Sequence, residues 1–387
     1  MRDFLNPIMS EIKPSGIRRF FDIAAEMKNV ISLGVGEPDF DTPWSIRETA
    51  IYTLEQGVTV YTANAGLKEL RTALAEYCAA KYDLHYDPLK EILVTVGGSE
   101  AIDVGLRAMV SPGVEVLIPE PSYVSYIPCV QLAGGKPVEV PLKKENEFRL
   151  TVEDLEPYVT ENTRILILPF PNNPTGSIME REDLEKIAAF CREKDLFVIS
   201  DEIYAELSYG EKPHVSIGSL EGMKERSLII NGFSKAFAMT GWRLGYCMGP
   251  RWLISQMVKI HQFAIMCAPT TSQHAAVHAL KFCDDKVAAM RREYNRRRRY
   301  VVSRLRQMGL ECFEPLGAFY VFPSIAFTGM SSEEFCTRLL QEKQVAVVPG
   351  DAFGKDGDGY VRISYAYSLE ELKTALDRIE EFLGTLH

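Results

Sequence analysis

Apolar residues nowhere run for the ~18 or more positions that a membrane-crossing helix needs, so no membrane span is expected. Paired cysteines are lacking as well. The eight thiols (Cys78, Cys129, Cys191, Cys247, Cys267, Cys283, Cys312 and Cys336) stand singly, with no CxxC and no metal-ligand spacing. Scattered thiols fit a reducing compartment better than a disulfide framework, and no metal site is expected. Positive charge is in deficit: 43 Lys and Arg stand against 53 Asp and Glu, a net charge of −10 that repels phosphate backbones. Nucleic acid is therefore not an expected partner. The one basic cluster, Arg291 and Arg292 followed by Arg296 to Arg299, lies within a helical apolar pattern (Val287, Met290, Tyr294, Val301, Leu305, Met308) and reads as a solvated helix face. The segment 1–12 carries Asp3 and Glu11 and is unlike a signal peptide, so a cytoplasmic protein is expected.

What is present is ordinary globular material: 46% apolar and 25% charged residues, enough for a core and unlike a disordered chain. At 387 residues, against ~100–200 for a usual domain, two domains or a large domain with a cap are expected. Short apolar runs at 92–96, 114–118, 164–168, 196–200 and 227–230 alternate with longer amphipathic stretches, such as 183–194 with Leu184, Ile187, Ala188 and Cys191 on one face. Buried strands separated by helices imply a mostly parallel α/β sheet, which binds ligands at the carboxyl ends of its strands. Further on, the spacing predicts a long helix over 285–308, short strands at 318–323, 345–348 and 360–366, and a final helix carrying Leu372, Leu376, Ile379 and Leu383. This reads as a large domain over 45–285 and a smaller α+β domain made of 286–387 with the segment 1–44.

Unusual polar residues fall where those strands end. Strand 196–200 runs into Asp201-Glu202-Ile203-Tyr204, and strand 227–230 runs into Gly232-Phe233-Ser234-Lys235. Strand 164–168 runs into Pro171-Asn172-Asn173-Pro174-Thr175-Gly176, and strand 92–96 into Gly97-Gly98-Ser99-Glu100. Each has a plain structural explanation when taken alone. The glycines suit a tight turn and Asn-Pro-Thr-Gly suits a turn; Asp201 suits a salt bridge and Lys235 the surface. Together they put a lysine, a buried carboxylate, an amide and an anion-binding helix start at one sheet edge. A cofactor with a phosphate, a phenolic oxygen and a basic ring nitrogen needs such a set.

Three runs, Pro171-Asn-Asn-Pro-Thr-Gly, Ser200-Asp-Glu-Ile-Tyr and Ser234-Lys-Ala-Phe-Ala-Met-Thr-Gly-Trp-Arg-Leu-Gly-Tyr246, resemble the class I/II aminotransferases of pyridoxal 5′-phosphate (PLP) fold type I. The likeness extends from Ser32-Leu-Gly-Val-Gly-Glu-Pro-Asp-Phe-Asp-Thr-Pro43 to Tyr360-Val-Arg-Ile-Ser364, and is greatest to the branch of aromatic, aspartate and N-acetyl-diaminopimelate aminotransferases. It implies a large domain with a mostly parallel seven-stranded sheet covered by helices, and a smaller α+β domain. It also implies that Lys235 forms the Schiff base with PLP and acts as catalytic base, that Asp201 pairs with the ring nitrogen, and that Asn173 and Tyr204 bond the ring oxygen. Tyr123 would stack on the ring; its plain structural reading is a core aromatic. Gly98, Ser99, Glu100, Ser234 and Arg243 would hold the phosphate, with Tyr61 reaching the phosphate of a neighbouring subunit in a homodimer with shared active sites. Arg362 would bind the substrate carboxylate, with Gly36 and Asn173 beside it. One position departs: many relatives have a phosphate-binding serine three residues before the lysine, and here it is Gly232, so weaker cofactor retention is expected.

The activity implied is ping-pong transfer of an amino group from an L-amino acid to a 2-oxo acid such as 2-oxoglutarate. Ser99-Glu100 stands where some aspartate-preferring relatives carry a lysine, and Tyr61, Tyr123, Tyr320 and Phe20 offer an aromatic lining, so an aromatic donor is expected. Aspartate, an N-acetylated diaminopimelate intermediate, or lyase chemistry such as carbon–sulfur cleavage on the same fold are the alternatives. A transcription regulator carrying such a domain is not expected, since the aminotransferase pattern begins near the start of the sequence.

Overall fold

The computed structural model describes residues 4–12, 27 and 29–386. In chain order the strands are β1 (Ile31–Ser32), β2 (Ile92–Thr95), β3 (Glu115–Glu120), β4 (Lys136–Pro141), β5 (Thr163–Leu168), β6 (Phe197–Asp201), β7 (Ser227–Gly232), β8 (Gly245–Met248), β9 (Tyr320–Val321), β10 (Val345–Ala346), β11 (Val348–Pro349) and β12 (Val361–Ser364). Seven of them form one sheet in the order β2-β8-β7-β6-β5-β3-β4. Only β8 runs against its neighbours; the other pairs are parallel. The protein is thus α/β, built on a mostly parallel seven-stranded sheet.

Alternation along the central strands explains why both faces are covered. Leu166 and Leu168 of β5 join one hydrophobic cluster, whereas Ile165 and Ile167 join another on the opposite face. Val198 and Ile199 of β6 divide the same way, as do Ile229 and its neighbours Leu228 and Ile230 of β7. Each such buried aliphatic chain contributes ~1.5–3 kcal/mol. Helices Lys68–Tyr82, Arg181–Glu193 and Thr270–Phe282 supply apolar partners on one face, and Gly98–Met109 with Arg251–Ala264 on the other. Every residue of β7 is buried, and the chain leaves it directly into Phe233, Ser234 and Lys235.

A third cluster gathers Val301, Val302 and Leu305 of helix Asp284–Gln307, Phe335 and Leu339 of Ser332–Lys343, and Leu372, Leu376 and Ile379 of Leu369–Gly384. The last helix starts at a capping box, in which Ser368 Oγ accepts from the Glu371 amide and Glu371 Oε2 from the Ser368 amide. Two small sheets border this cluster: β1 paired in parallel with β10, and the antiparallel β11-β12-β9. The strand expected at 345–348 is split, because Val345–Ala346 pairs with β1 and Val348–Pro349 with β12. Strands β4 and β8 were not foreseen. The first is an edge strand with half-exposed residues and two prolines; the second is four residues long with glycine at its start.

The basic cluster requires a correction. Arg297 and Arg298 are buried, not solvated. Arg297 donates to both oxygens of Asp39 at 2.8 Å and its guanidinium packs over the Phe40 ring, while Arg298 pairs with Glu314 and bonds Asn295. These pairings tie helix Asp284–Gln307 to the N-terminal segment and to the loop after it; the burial of charge is tolerated because each is partnered.

Candidate active site

Strand β6 delivers Asp201 to the sheet edge in a buried position. Its Oδ2 accepts from the Tyr126 hydroxyl at 2.8 Å and its Oδ1 from the Ile203 amide at 3.2 Å. Burial pushes the Asp201 carboxyl above its ordinary value, and these two hydrogen bonds oppose the rise. A carboxylate in that state is short of a positive partner.

Strand β7 ends at Gly232, and the turn that follows brings Lys235 alongside. The Lys235 amine donates to the Gly36 carbonyl at 2.6 Å and lies 5.9 Å from the rings of both Tyr204 and Phe319. Burial is the main reason its pKa falls from 10.5 to about 8; Glu37 opposes the fall, Arg362 and Arg243 add to it, and Asp201 opposes it. A lysine so placed is in part a free base at neutral pH, able to act as nucleophile or to carry a proton.

Strand β2 passes through Gly97, at φ 82°, into helix Gly98–Met109. A side chain at Gly97 would lie 2.6 Å from Arg243 Nη2, so only glycine admits the guanidinium over this turn. Arg243 donates from Nη1 to the Thr240 carbonyl at 2.9 Å. The first amides of the helix have no intrahelical acceptor, and with Arg243 beside them the setting is suited to an anion. The serine absent at Gly232 also has a packing side: a Cβ there would meet Gly245 Cα, Ile203 Cδ1 and the Leu244 carbonyl, each at 3.1 Å.

Strand β12 holds Arg362, which is buried. Its Nη1 donates to Asn173 Oδ1 at 2.8 Å and its Nη2 to the Gly34 carbonyl, and the guanidinium lies 4.3 Å from the Tyr320 ring centre and 4.8 Å from that of Phe353. Its Nε, also buried, has no acceptor. The Tyr320 hydroxyl in turn meets that of Tyr204 at 2.9 Å.

These groups face one cavity of about 460 Å³. Of the residues singled out from the sequence, Gly36, Gly98, Ser99, Tyr123, Asn173, Asp201, Tyr204, Ser234, Lys235, Arg243 and Arg362 all line it. Two do not. Glu100 turns its carboxylate away to the Val96 amide and to His261, and Tyr61 is 80% exposed on the surface. Phe20 lies outside the described residues. Sequence reasoning overlooked Tyr126, Glu37, Thr240 and Ile102 on the cavity wall, and Phe353 behind Arg362. Tyr126 opens helix Tyr126–Leu132, three residues after Tyr123, and the two rings meet edge to face with centres 5.7 Å apart. Among the described residues there is no cluster able to hold a metal, and no helix long and apolar enough to cross a membrane.

A lysine of lowered pKa, a buried carboxylate, a helix start beside Arg243 and the buried Arg362 guanidinium thus face one cavity, as an enzyme site that handles a charged small molecule requires. The sequence model of the family described as aminotransferase class I and II matches residues 28–379, and the chain belongs to that PLP-dependent family and is an aminotransferase. It is 54% identical to an aspartate aminotransferase of Pyrococcus abyssi, over 96% of each chain. It is 49% identical to aromatic-amino-acid aminotransferase 2 of Thermococcus litoralis, over 98% of each. The solved structure of an aromatic aminotransferase from Pyrococcus horikoshii superposes with a TM-score of 0.91 at 50% identity, covering 96% of this chain and 99% of that one.

Proposed function

We propose that the protein moves an amino group from an aromatic L-amino acid to a 2-oxo acid such as 2-oxoglutarate, by ping-pong half-reactions that share one cavity and use Lys235 as the proton carrier. The observation that carries this reading is the meeting, in one cavity, of a Lys235 amine lowered to about 8 with an arginine whose buried Nε has no acceptor.

The residues fit PLP. The desolvated Asp201 carboxylate suits a protonated ring nitrogen, which would give it the positive partner it is short of. The helix start at Gly98 and Ser99, with Ser234 and Arg243 beside it on the cavity wall, suits the phosphate, and Glu100 would add its backbone amide. Asn173 and Tyr204 would bond the ring oxygen and Tyr123 would flank the ring. When bound, PLP supplies an electron-withdrawing ring that stabilises negative charge at the substrate α-carbon. Lys235 removes the α-proton and holds it for return. Arg362 grips the substrate carboxylate through its fork, and Asn173, the Gly34 carbonyl and the Tyr320 and Phe353 rings keep that fork still. Tyr126 orients Asp201.

The donor is read from the rest of the wall. Lys235, Arg243 and Arg362 each have a use already, and among the described residues the remaining lining, including Ile102, Tyr123 and Tyr320, offers no further cation for a side-chain carboxylate. Glu37 on the same wall would repel one. An aromatic ring fits this lining better than a second acid group.

We further propose a homodimer in which Tyr61 contacts the cofactor phosphate of the partner subunit. Its support is the exposure of the apolar residues Val60 and Tyr61, with the exposed Met266 tied to the same stretch through Asn64. Asn64 donates to the Met266 carbonyl at 2.8 Å. Residues 45–285 would form the large domain, and 286–387 with 1–44 the small one.

The test adds single amino acids to the PLP-loaded protein without any oxo acid and follows the cofactor's visible band. Phenylalanine and tyrosine are expected to convert it to the pyridoxamine form faster than aspartate. Faster conversion by aspartate would replace the aromatic reading with the aspartate one.

A further inference from the structure

A carboxylate in the first turn of a phosphate-binding helix needs an explanation, because its charge opposes the anion the helix end attracts. Glu100 is such a residue, third in helix Gly98–Met109. Its side chain is spent elsewhere. Oε2 accepts from the Val96 amide, one residue before the Gly97 turn, and Oε1 meets Nδ1 of His261 at 2.6 Å. His261 is fully buried near the end of helix Arg251–Ala264, and its Nε2 has no partner. Burying an imidazole with one nitrogen unsatisfied is costly, and the gain returned is a fixed direction for the Glu100 carboxylate.

The choice of acceptor matters for the cradle. By taking the Val96 amide, Glu100 pins the chain on the strand side of Gly97, and leaves the amides of Gly98, Ser99 and Glu100 itself unspent. On the other side Thr95 Oγ1 donates to the Gly97 carbonyl at 2.9 Å. The turn is therefore held at its entry by side chains, with its own donors free to face an anion. The same His261 carbonyl accepts from the amides of Ile265 and Met266, the stretch that also holds Asn64.

From this geometry we infer that His261 and Glu100 form a brace that positions the phosphate-binding turn, with Glu100 acting through its side chain and not only through its backbone. The inference rests on PLP being the cofactor. Neither side chain lines the cavity, so in this brace both side chains act as positioning groups.

The test measures dissociation constants of the apoprotein for PLP and for pyridoxal, which lacks the phosphate, in wild type, Glu100→Ala, Glu100→Gln, His261→Leu and His261→Asn. A brace for the phosphate predicts that Glu100→Ala and His261→Leu weaken PLP about tenfold or more, ~1.4 kcal/mol, with pyridoxal changed less than about twofold. Glu100→Gln keeps an acceptor for the Val96 amide, and His261→Asn keeps a donor in place of Nδ1. Both are expected to retain most of the preference for PLP. Equal weakening of both ligands, or a ratio unchanged from wild type, overturns the brace. If Glu100→Ala does not fold, the His261→Leu and His261→Asn pair decides on the same ratio. A wild-type protein with no preference for PLP over pyridoxal would overturn the cradle itself, an outcome distinct from failure of the brace alone.

Discussion

The Lys235 amine provides the sharpest prediction. An ordinary lysine at 10.5 is neutral in about one molecule in 3,000 at pH 7, whereas an amine at about 8 is neutral in about one in ten, a gain of ~300-fold in reactive base. The rate at which the apoprotein bonds PLP should therefore rise about tenfold per pH unit up to pH 8 and level off above it. The charges around the amine set the direction of two perturbations. Glu37→Gln removes the largest opposing influence and should move the midpoint to lower pH. Arg362→Met removes a cation and should move it to higher pH. Stopped-flow absorbance between pH 6 and pH 10 measures the rate, with a free model amine run in parallel to divide out the titration of PLP itself. A wild-type midpoint near 10, or the same midpoint in both variants, would refute the reasoning, since it would mean that neither burial nor the neighbouring charges control the amine.

Three further outcomes follow from the same geometry. Arg362→Lys keeps the charge but loses the fork that Asn173 and the Gly34 carbonyl hold, so kcat/KM for amino-acid donors should fall on the order of a hundredfold; a loss under threefold would contradict the carboxylate role. Tyr126→Phe strips one hydrogen bond from Asp201, a bond to a charged acceptor being typically ~1.5–3 kcal/mol, and should lower kcat about tenfold or more with the melting temperature little changed. Burial, then Glu139 and Asp356, raise the Glu120 carboxyl from 4.5 to about 8, with Lys355 opposing, and its Oε2 packs against Gly354 without a partner. Below about pH 4.5 folded and unfolded chains are both protonated there. Between about 4.5 and 8 only the folded chain holds the proton, so stability falls as pH rises, by up to ~1.4 kcal/mol per pH unit, and the loss is complete above 8. Glu120→Gln, neutral throughout, should gain on wild type by ~2 kcal/mol or more from pH 5 to pH 8 in thermal unfolding. A gap that does not widen would contradict this.

The parts of the fold that were legible are those where one strong local pattern decides. Strands β5, β6 and β7 are continuous apolar runs ending in polar residues, and helix Arg181–Glu193 carries a clean apolar face. Strands β4 and β8 were not: β4 is an edge strand with half-exposed residues and two prolines, and β8 opens on glycine and lacks the continuous aliphatic run that marks β2. The division of 345–348 between two sheets is decided by partners distant in sequence, Ile31 and Ser32 for one half and Val361 and Arg362 for the other. In the site, residues at strand ends were found from the strands that deliver them. Phe353 ends the short 3-10 helix Gly350–Phe353 and Glu37 lies in a loop, and nothing in their local sequence says that they face Arg362 or Lys235. Glu100 shows a different limit: its place in the helix start was right, but the direction of its side chain depends on His261, 161 residues away. The arginines at 297 and 298 were misjudged for the same reason, since Asp39 and Glu314 are invisible to helical periodicity.

The central claim is that this cavity transfers an amino group between carbon skeletons and does not release it. The direct measurement gives the PLP-loaded protein ¹⁵N-labelled L-phenylalanine with unlabelled 2-oxoglutarate and follows the nitrogen. The account predicts labelled glutamate and the 2-oxo acid of phenylalanine in equal amounts, with Lys235→Ala producing neither at an appreciable rate. Labelled ammonia with no labelled glutamate, or undiminished turnover in Lys235→Ala, would contradict it.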